Sequence, residues 1–287
     1  MTGVSDILSM FSDEAIEAAV LAGRARRSAT TEAGGRLNGF TPLDLGCWMR
    51  LCQAAGVPAV PALEIASAPT IDLWDAIDNE GPVHEDVPAL FAAVRDVERR
   101  MPIGWMLRWS CCSMAYVKYR LSEGMPEWHP SLMDLSVDDF RAFDLIAEFP
   151  LPRISAWARP WLTFDVVDRY PVEYRVFVRD NEIIGISNYY PQRALPHDAR
   201  TDADLTAVRN MTSALIREQK LPLNMPECDG LLDLSRNHFS ADFARLPSGA
   251  VLFLEGGPPN TPRWGAHPCC FEGREISGYA PSVEVSA

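Results

Sequence analysis

The stretch Pro171–Tyr190, PVEYRVFVRDNEIIGISNYY, constrains the fold more than any other part of the chain. Two runs of β-branched and aromatic residues flank Asp180-Asn181, a dipeptide suited to a two-residue turn. The segment therefore reads as a β-hairpin. Successive strand residues point to opposite faces. Glu173, Arg175 and Phe177 thus share one face of the first strand, and Val172, Tyr174, Val176 and Val178 share the other. Charges on so apolar a strand admit two readings. One is an ion pair on the surface of a sheet. The other is an arginine fixed to meet a phosphate or a carboxylate.

Around this hairpin the pattern is mixed. Ser12-Asp13-Glu14 reads as a helix start with Ala15–Arg27 as its body, and Thr41–Gly56 carries a second helical pattern. Pro58–Pro88 is rich in proline and acids and reads as loop with one short strand. Glu85–Arg100 reads as a helix, Ile103–Trp109 as a buried strand, Ser136–Phe149 as a capped helix and Ile154–Arg159 as a strand. Thr201–Lys220 is a long amphipathic helix. Strands follow at Gly230–Leu234, Phe239–Leu246 and Ala250–Glu255, the last two joined by a turn at Pro247-Ser248-Gly249. Early helices and then mainly antiparallel strands describe an α+β protein, not a doubly wound α/β one.

Charge and cysteine content narrow the classes. The formal net charge of −13 over 287 residues argues against nucleic acid or an anionic membrane as a bulk electrostatic partner. No apolar run approaches the roughly 20 residues that span a bilayer, and the N-terminus lacks the basic and apolar regions of a secretion signal. A cytoplasmic setting with reduced thiols is the expectation, with seven cysteines and no Cys-x-x-Cys pair. His267-Pro268-Cys269-Cys270 reads either as a thiolate ligand cluster or as buried, inert cysteine. Only two of the 26 basic residues are lysine, Lys118 and Lys220, which draws attention to Lys118 as a compact point charge.

The last hairpin supplies the chemistry. Asp242 lies on its first strand, Glu255 ends its second, and counting back from the turn lets the two lie near each other. Paired carboxylates repel unless a proton or cation intervenes, and hard oxygen ligands suit Mg²⁺. Lys118, Arg159 and Arg175 supply cations on the preceding segments. Neither a P-loop nor a Gly-x-Gly-x-x-Gly cradle is present. Fixed cations with a carboxylate pair describe a phosphate–metal site of another kind.

In this order of motifs, from Arg108-Trp109-Ser110 through Lys118 to Glu173–Val178 with Ile186-Ser187, and then the Asp242 and Glu255 strands, the chain resembles the ATP-grasp superfamily. The resembling branch includes the cell division cycle protein 123 family and similar phage and bacterial proteins. The resemblance covers roughly Gly104–Pro259. It implies an ATP-grasp-like fold with largely antiparallel sheets and packed helices over 101–287. Residues 1–100 form an N-terminal helical, loop-rich region of unassigned role. It further implies that Lys118 and Arg175 bind ATP phosphates, that Arg159 and Trp161 lie by the nucleotide, and that Arg193 contacts phosphate or substrate. Asp242 and Glu255 would hold Mg²⁺. The family usually carries Asn two residues after the second acid; here that position is Gly257, and Asn260 is the substitute candidate. Glu173 would then hold Arg175 in place, and Arg263 and His267 could contact the acceptor. The implied activity is an ATP- and Mg²⁺-dependent ligase that activates a carboxylate as an acyl phosphate for attack by an amine. The acceptor would be a small molecule, a peptide or a protein. The alternative is an ATP-binding assembly factor without ligase turnover.

Overall fold

The computed structural model describes residues 42–70, 72–73, 85–101, 105–111, 151–168, 170–190, 195–196, 198–219 and 238–257. In chain order the elements are α1 (Leu45–Ala55), β1 (Leu63–Pro69), α2 (Asp86–Arg100), β2 (Trp105–Trp109), β3 (Arg153–Pro160), β4 (Val166–Val167), β5 (Tyr170–Pro171), β6 (Glu173–Arg179), β7 (Glu182–Asn188), α3 (Ala199–Glu218), β8 (Phe239–Arg245) and β9 (Val251–Gly257). The protein is α+β, and every strand ladder among the described residues is antiparallel. The helices expected at Ala15–Arg27 and Ser136–Phe149 and the strand expected at Gly230–Leu234 lie outside the described residues.

The chain divides into two compact units that interleave in sequence. One includes Pro61–Leu121 and Met125–Trp161, the other Leu45–Val60 and Leu162–Ala287. The first unit holds a three-stranded sheet in the order β1-β3-β2. Val87, Leu90 and Val94 recur at helical spacing on α2 and are buried, and α2 packs on β1. The strand of Pro58–Pro88 runs from Leu63 to Pro69.

The second unit holds a four-stranded sheet in the order β7-β6-β8-β9. The central hairpin forms as its turn residues require: Asp180 and Asn181 both take positive φ, 54° and 67°, the pairing of a type I′ turn. The β8–β9 turn closes with Gly249 at φ 88° and bonds from Gly249 N to Leu246 O and from Leu246 N to Ala250 O, each 2.8 Å. Helix α1 ends in a Schellman motif, with Gly56 at φ 68° and Val57 N donating to Cys52 O at 2.8 Å. The chain then runs beside β9, where Val60 N donates to Phe253 O and Phe253 N to Pro58 O. That segment covers the edge of the sheet. Helix α3 is capped by Asp198, whose Oδ1 accepts from the N–H groups of Arg200 and Thr201.

Both helices of this unit pack on one face of its sheet. The Trp48 ring of α1 lies 5.1 Å from the Phe239 ring and 5.6 Å from the Phe253 ring, and Phe243 meets Phe253 edge-on. Tyr174 Oη donates to Asp204 on α3 at 2.6 Å, and Arg245 Nη1 donates to the same carboxylate oxygen at 2.6 Å. Arg245 Nε also donates to Asp165 at 2.9 Å. Val176, Phe239, Ala241 and Phe243 complete this face and are buried. Thus Tyr174 and Val176 turn away from the side that carries Arg175, as strand alternation requires. Burial alone disfavours the Arg245 charge, but Asp204 outweighs it by hydrogen bond and by charge, and the Arg245 pKa is raised.

Two predictions test this buried network. Asp204→Ala strips a buried cation and a buried phenol of their shared acceptor, and it should lower unfolding free energy by about 3 kcal/mol; Arg245 retains Asp165. Urea unfolding measures this, and a loss under about 0.5 kcal/mol would contradict the network. The Tyr174 pKa is raised, first by burial and then by its bond to Asp204. A raised value means that the protonated phenol is stabilising. Its contribution is complete below the ordinary tyrosine value of about 10 and declines as pH climbs past it. The stability gap between wild type and Tyr174→Phe should therefore shrink between about pH 9 and pH 11. A gap independent of pH over that window would count against it.

Candidate functional site

The face of the four-stranded sheet opposite the helices carries a second set of polar side chains. Arg175 on β6 pairs directly with Ser187 on β7 and with Asp242 on β8, and Asp242 pairs directly with Glu255 on β9. Directly opposed residues point to the same face, so Ser187, Arg175, Asp242 and Glu255 form one rank across all four strands. Glu173, Phe177 and Ser240 lie on the same face by period two and are buried.

Two bulges produce this rank. On β9 the register shifts between Asp242 and Phe243, so that Asp242 faces Glu255 while Phe243 faces Phe253. Leu254 is the extra residue, buried in a cluster with Val60 and Ala244. Phe253 and Glu255 would share a face on a regular strand; the bulge sends them to opposite faces. Gly256 then points at the helices, where a Cβ would stand inside the Trp48 indole. On β7 the register shifts between Phe177 and Val178, which leaves Ile184 extra and brings Ser187 opposite Arg175.

Arg175 is the centre of the rank. Its Nε and Nη2 donate to Asp242 Oδ1 and Oδ2, both at 2.7 Å, a bidentate ion pair. The Arg175 side chain is 17% exposed and that of Asp242 3%. The guanidinium carbon lies 4.7 Å from the centre of the Tyr189 ring, within cation–π range. Burial works against the Arg175 charge. Asp242, by charge and by hydrogen bond, then Tyr189 and Glu255, more than offset it, and the pKa is raised. The guanidinium is thus a permanent, fixed cation.

Asp242 rather than Glu173 grips Arg175 by both donors, which corrects the expectation that Glu173 holds it. The reason is register: Asp242 is the direct partner across the ladder, whereas Glu173 pairs with Ala244 one pleat away. Arg159 and Trp161 belong to the other unit. Arg159 is buried on β3 opposite Met106, and Trp161 Nε1 is buried without a hydrogen-bond partner, as is Trp157 Nε1. Lys118, Arg193, Asn260, Arg263 and His267 lie outside the described residues. Ser187 and Tyr189 are the members of the site to which sequence reasoning gave no role. Counting regular pairs back from Asp180-Asn181 puts Ile186 opposite Arg175, and only the Ile184 bulge substitutes Ser187.

Whether these residues suit Mg²⁺ turns on their donors. Among the described residues no group of three His, Cys, Asp or Glu could hold a metal ion. Mg²⁺ that also binds phosphates typically needs only one or two protein carboxylates. Arg175 donates one bond to each Asp242 oxygen, and each oxygen keeps another lone pair. Asp242 and Glu255 therefore fit one such ion. Among the described residues no side chain at 257 adds to them, because Gly257 has none, and a Cβ there would lie 3.3 Å from Ser240 Oγ.

No protein-family model matches the chain, and no curated protein does. Among solved structures it is similar to C-terminally truncated Cdc123 from Schizosaccharomyces pombe, at 13% identity and TM-score 0.43, covering 76% of this chain and 83% of that one. It is similar to carboxyaminoimidazole ribonucleotide synthase from Aspergillus clavatus complexed with ATP, at 14% identity and TM-score 0.36, covering 78% and 46%. A third is VanG D-Ala:D-Ser ligase from Enterococcus faecalis, at 11% identity and TM-score 0.33, covering 76% and 52%.

The ion pair yields a double-mutant prediction. Arg175→Met leaves Asp242 buried without its counter-charge and should cost about 3–5 kcal/mol. Arg175→Met combined with Asp242→Leu should recover at least half of that loss, since two apolar groups replace the pair. Urea unfolding of the four proteins measures the coupling; strictly additive costs would show that the pair is not coupled.

Proposed function

We propose that this chain is an ATP-grasp-like protein that uses ATP and Mg²⁺ to activate a carboxylate as an acyl phosphate for attack by an amine. The single observation that carries the reading is the rank itself: a fixed guanidinium bound to Asp242, with Glu255 as the next residue across the sheet. A cation beside a carboxylate pair on one sheet face can hold a phosphate chain and its counter-ion together.

The roles follow from position. Asp242 and Glu255 would hold one Mg²⁺, which when bound neutralises phosphate charge. Arg175, held at two donors by Asp242, orients a phosphoryl oxygen, and its locked geometry removes the cost of ordering a long side chain at the moment of binding. Tyr189 covers the guanidinium and keeps water from one of its faces. In the reaction, a carboxylate oxygen attacks the γ-phosphorus, the bond to the β–γ bridging oxygen breaks and ADP leaves. The amine nitrogen then adds to the acyl carbon and phosphate departs.

One observation favours a second reading, an ATP-binding assembly factor without ligase turnover. Gly257 stands where the resembling family has a donor side chain, and Ser240 crowds that position. One metal position is enough to bind nucleotide and less than a two-metal transfer site provides.

Thermal unfolding with ATP tests both. At about 100 times the dissociation constant, ATP should add about 2.7 kcal/mol to wild-type stability and raise the unfolding temperature by several degrees. EDTA or Asp242→Asn should remove most of that shift. No shift in wild type rejects both readings. ADP release that requires an added carboxylate and amine identifies the ligase; binding without such release identifies the assembly factor.

A further inference from the structure

Ser187 is completely buried, and its Oγ has no hydrogen-bond partner. Buried hydroxyls are ordinarily paired, so an orphan calls for a reason. Alanine would fill the same place in the sheet without that penalty. Thr212 Oγ1 is another orphaned hydroxyl among the described residues, but it lies on α3, away from the polar rank. Ser187 lies within the rank, directly across from Arg175.

The geometry of Arg175 shows what the hydroxyl faces. Asp242 takes Nε and Nη2. A guanidinium is planar with its three nitrogens about 120° apart, so Nη1 points away from the edge that Asp242 occupies. β7, and with it Ser187, lies on the opposite side of β6 from Asp242. Among the described residues nothing is hydrogen-bonded to Nη1. One face of the guanidinium is covered by Tyr189. A free N–H pair and an orphaned hydroxyl thus lie on neighbouring strands, at one rank, on one face. Both can donate, and the cation supplies charge. The group that satisfies both is an anionic oxygen.

We propose that Ser187 is a ligand-contact residue, whose Oγ–H donates to the anionic oxygen that Arg175 Nη1 also holds. The identity of that oxygen as phosphoryl rests on the proposed nucleotide site; the pairing of Ser187 with Arg175 does not. The consequence is a pair of effects with opposite signs. The hydroxyl is unpaired in the free protein and paired in the complex. Removing it should leave the free protein as stable or more stable, and should weaken the complex.

The test uses the full chain as wild type, Ser187→Ala and Ser187→Cys. Thermal unfolding is measured without ligand, and calorimetric titration with ATP and with pyrophosphate, both in Mg²⁺ buffer. Ser187→Ala should unfold at or above the wild-type temperature and bind both anions about tenfold more weakly, the loss of one charge-assisted hydrogen bond. Ser187→Cys, with a weaker donor, should fall between. Wild-type affinity in Ser187→Ala overturns the inference and leaves the nucleotide reading intact. So does a clear drop in the unfolding temperature of ligand-free Ser187→Ala, which would mean that the hydroxyl is structural. Pyrophosphate binding without ATP binding by wild type rejects the nucleotide reading, and the Ser187→Ala loss for pyrophosphate then decides the inference. Failure of wild type to bind either anion overturns both.

Discussion

The site depends on one extra residue in a strand. Leu254 is inserted into β9, and everything beyond it changes face. Its side chain is buried in a cluster with Val60, Ala244, Leu162, Phe164 and Leu252. That apolar burial offsets the broken ladder. Without the bulge, with Leu254 paired regularly, Glu255 would turn to the helix side, against the Trp48, Phe243 and Phe253 rings, where an ionised carboxylate without partners is strongly disfavoured. With it, Gly256 occupies the helix side instead and lets the Trp48 indole lie directly on the backbone. The same step in register thus lets an aromatic ring close the core and moves a carboxylate to the polar rank.

The two faces of this sheet use buried arginine in opposite ways. On the helix side, Arg245 bonds to Asp204 and Asp165, and Asp204 also accepts from Tyr174. That network ties α3 to β6 and β8 and is closed by protein groups. On the other side, Arg175 spends two donors on Asp242 and keeps a third nitrogen out of that bond. Fixing a guanidinium by two of its nitrogens leaves it rigid while its remaining donors stay available. A closed network suits structure; a fixed cation with open donors and an orphaned hydroxyl beside it suits recognition.

How much of this the sequence disclosed depended on whether the signal was local. Asp180-Asn181 announced the hairpin, because both residues tolerate positive φ, and the apolar spacing of Val87, Leu90 and Val94 announced α2. The face on which Arg175 lies followed from alternation alone. Asp242 and Glu255 could be brought near each other by counting from the turn. What failed was register beyond the bulges. Regular counting pairs Arg175 with Ile186 and Asp242 with Leu254, and both pairings are displaced by one residue. Whether Leu254 or Ile184 bulges depends on packing against Val60 and Ala244, or on exposure at a sheet edge. Neither is visible in the strand's own sequence. Period-two spacing puts Glu173 on the face of Arg175 and so suggests it as the partner, but β8 places Asp242 directly opposite.

Charge along the rank decides which anions this face can accept. Among the described residues of the rank, one guanidinium stands with two carboxylates, Asp242 and Glu255, and Glu173 lies buried on the same face. Asp242 already neutralises Arg175 in their bidentate pair, so the guanidinium alone is a weak anchor for a phosphate chain. On the proposed reading, one divalent cation held by Asp242 and Glu255 would place further positive charge beside Arg175. On that reading the anion would arrive with its own cation, or after one. Gly257 bears on a second cation position, because a Cβ there would lie 3.3 Å from Ser240 Oγ, closer than an ordinary contact. A side chain at 257 would need Ser240 Oγ to give by a few tenths of an ångström.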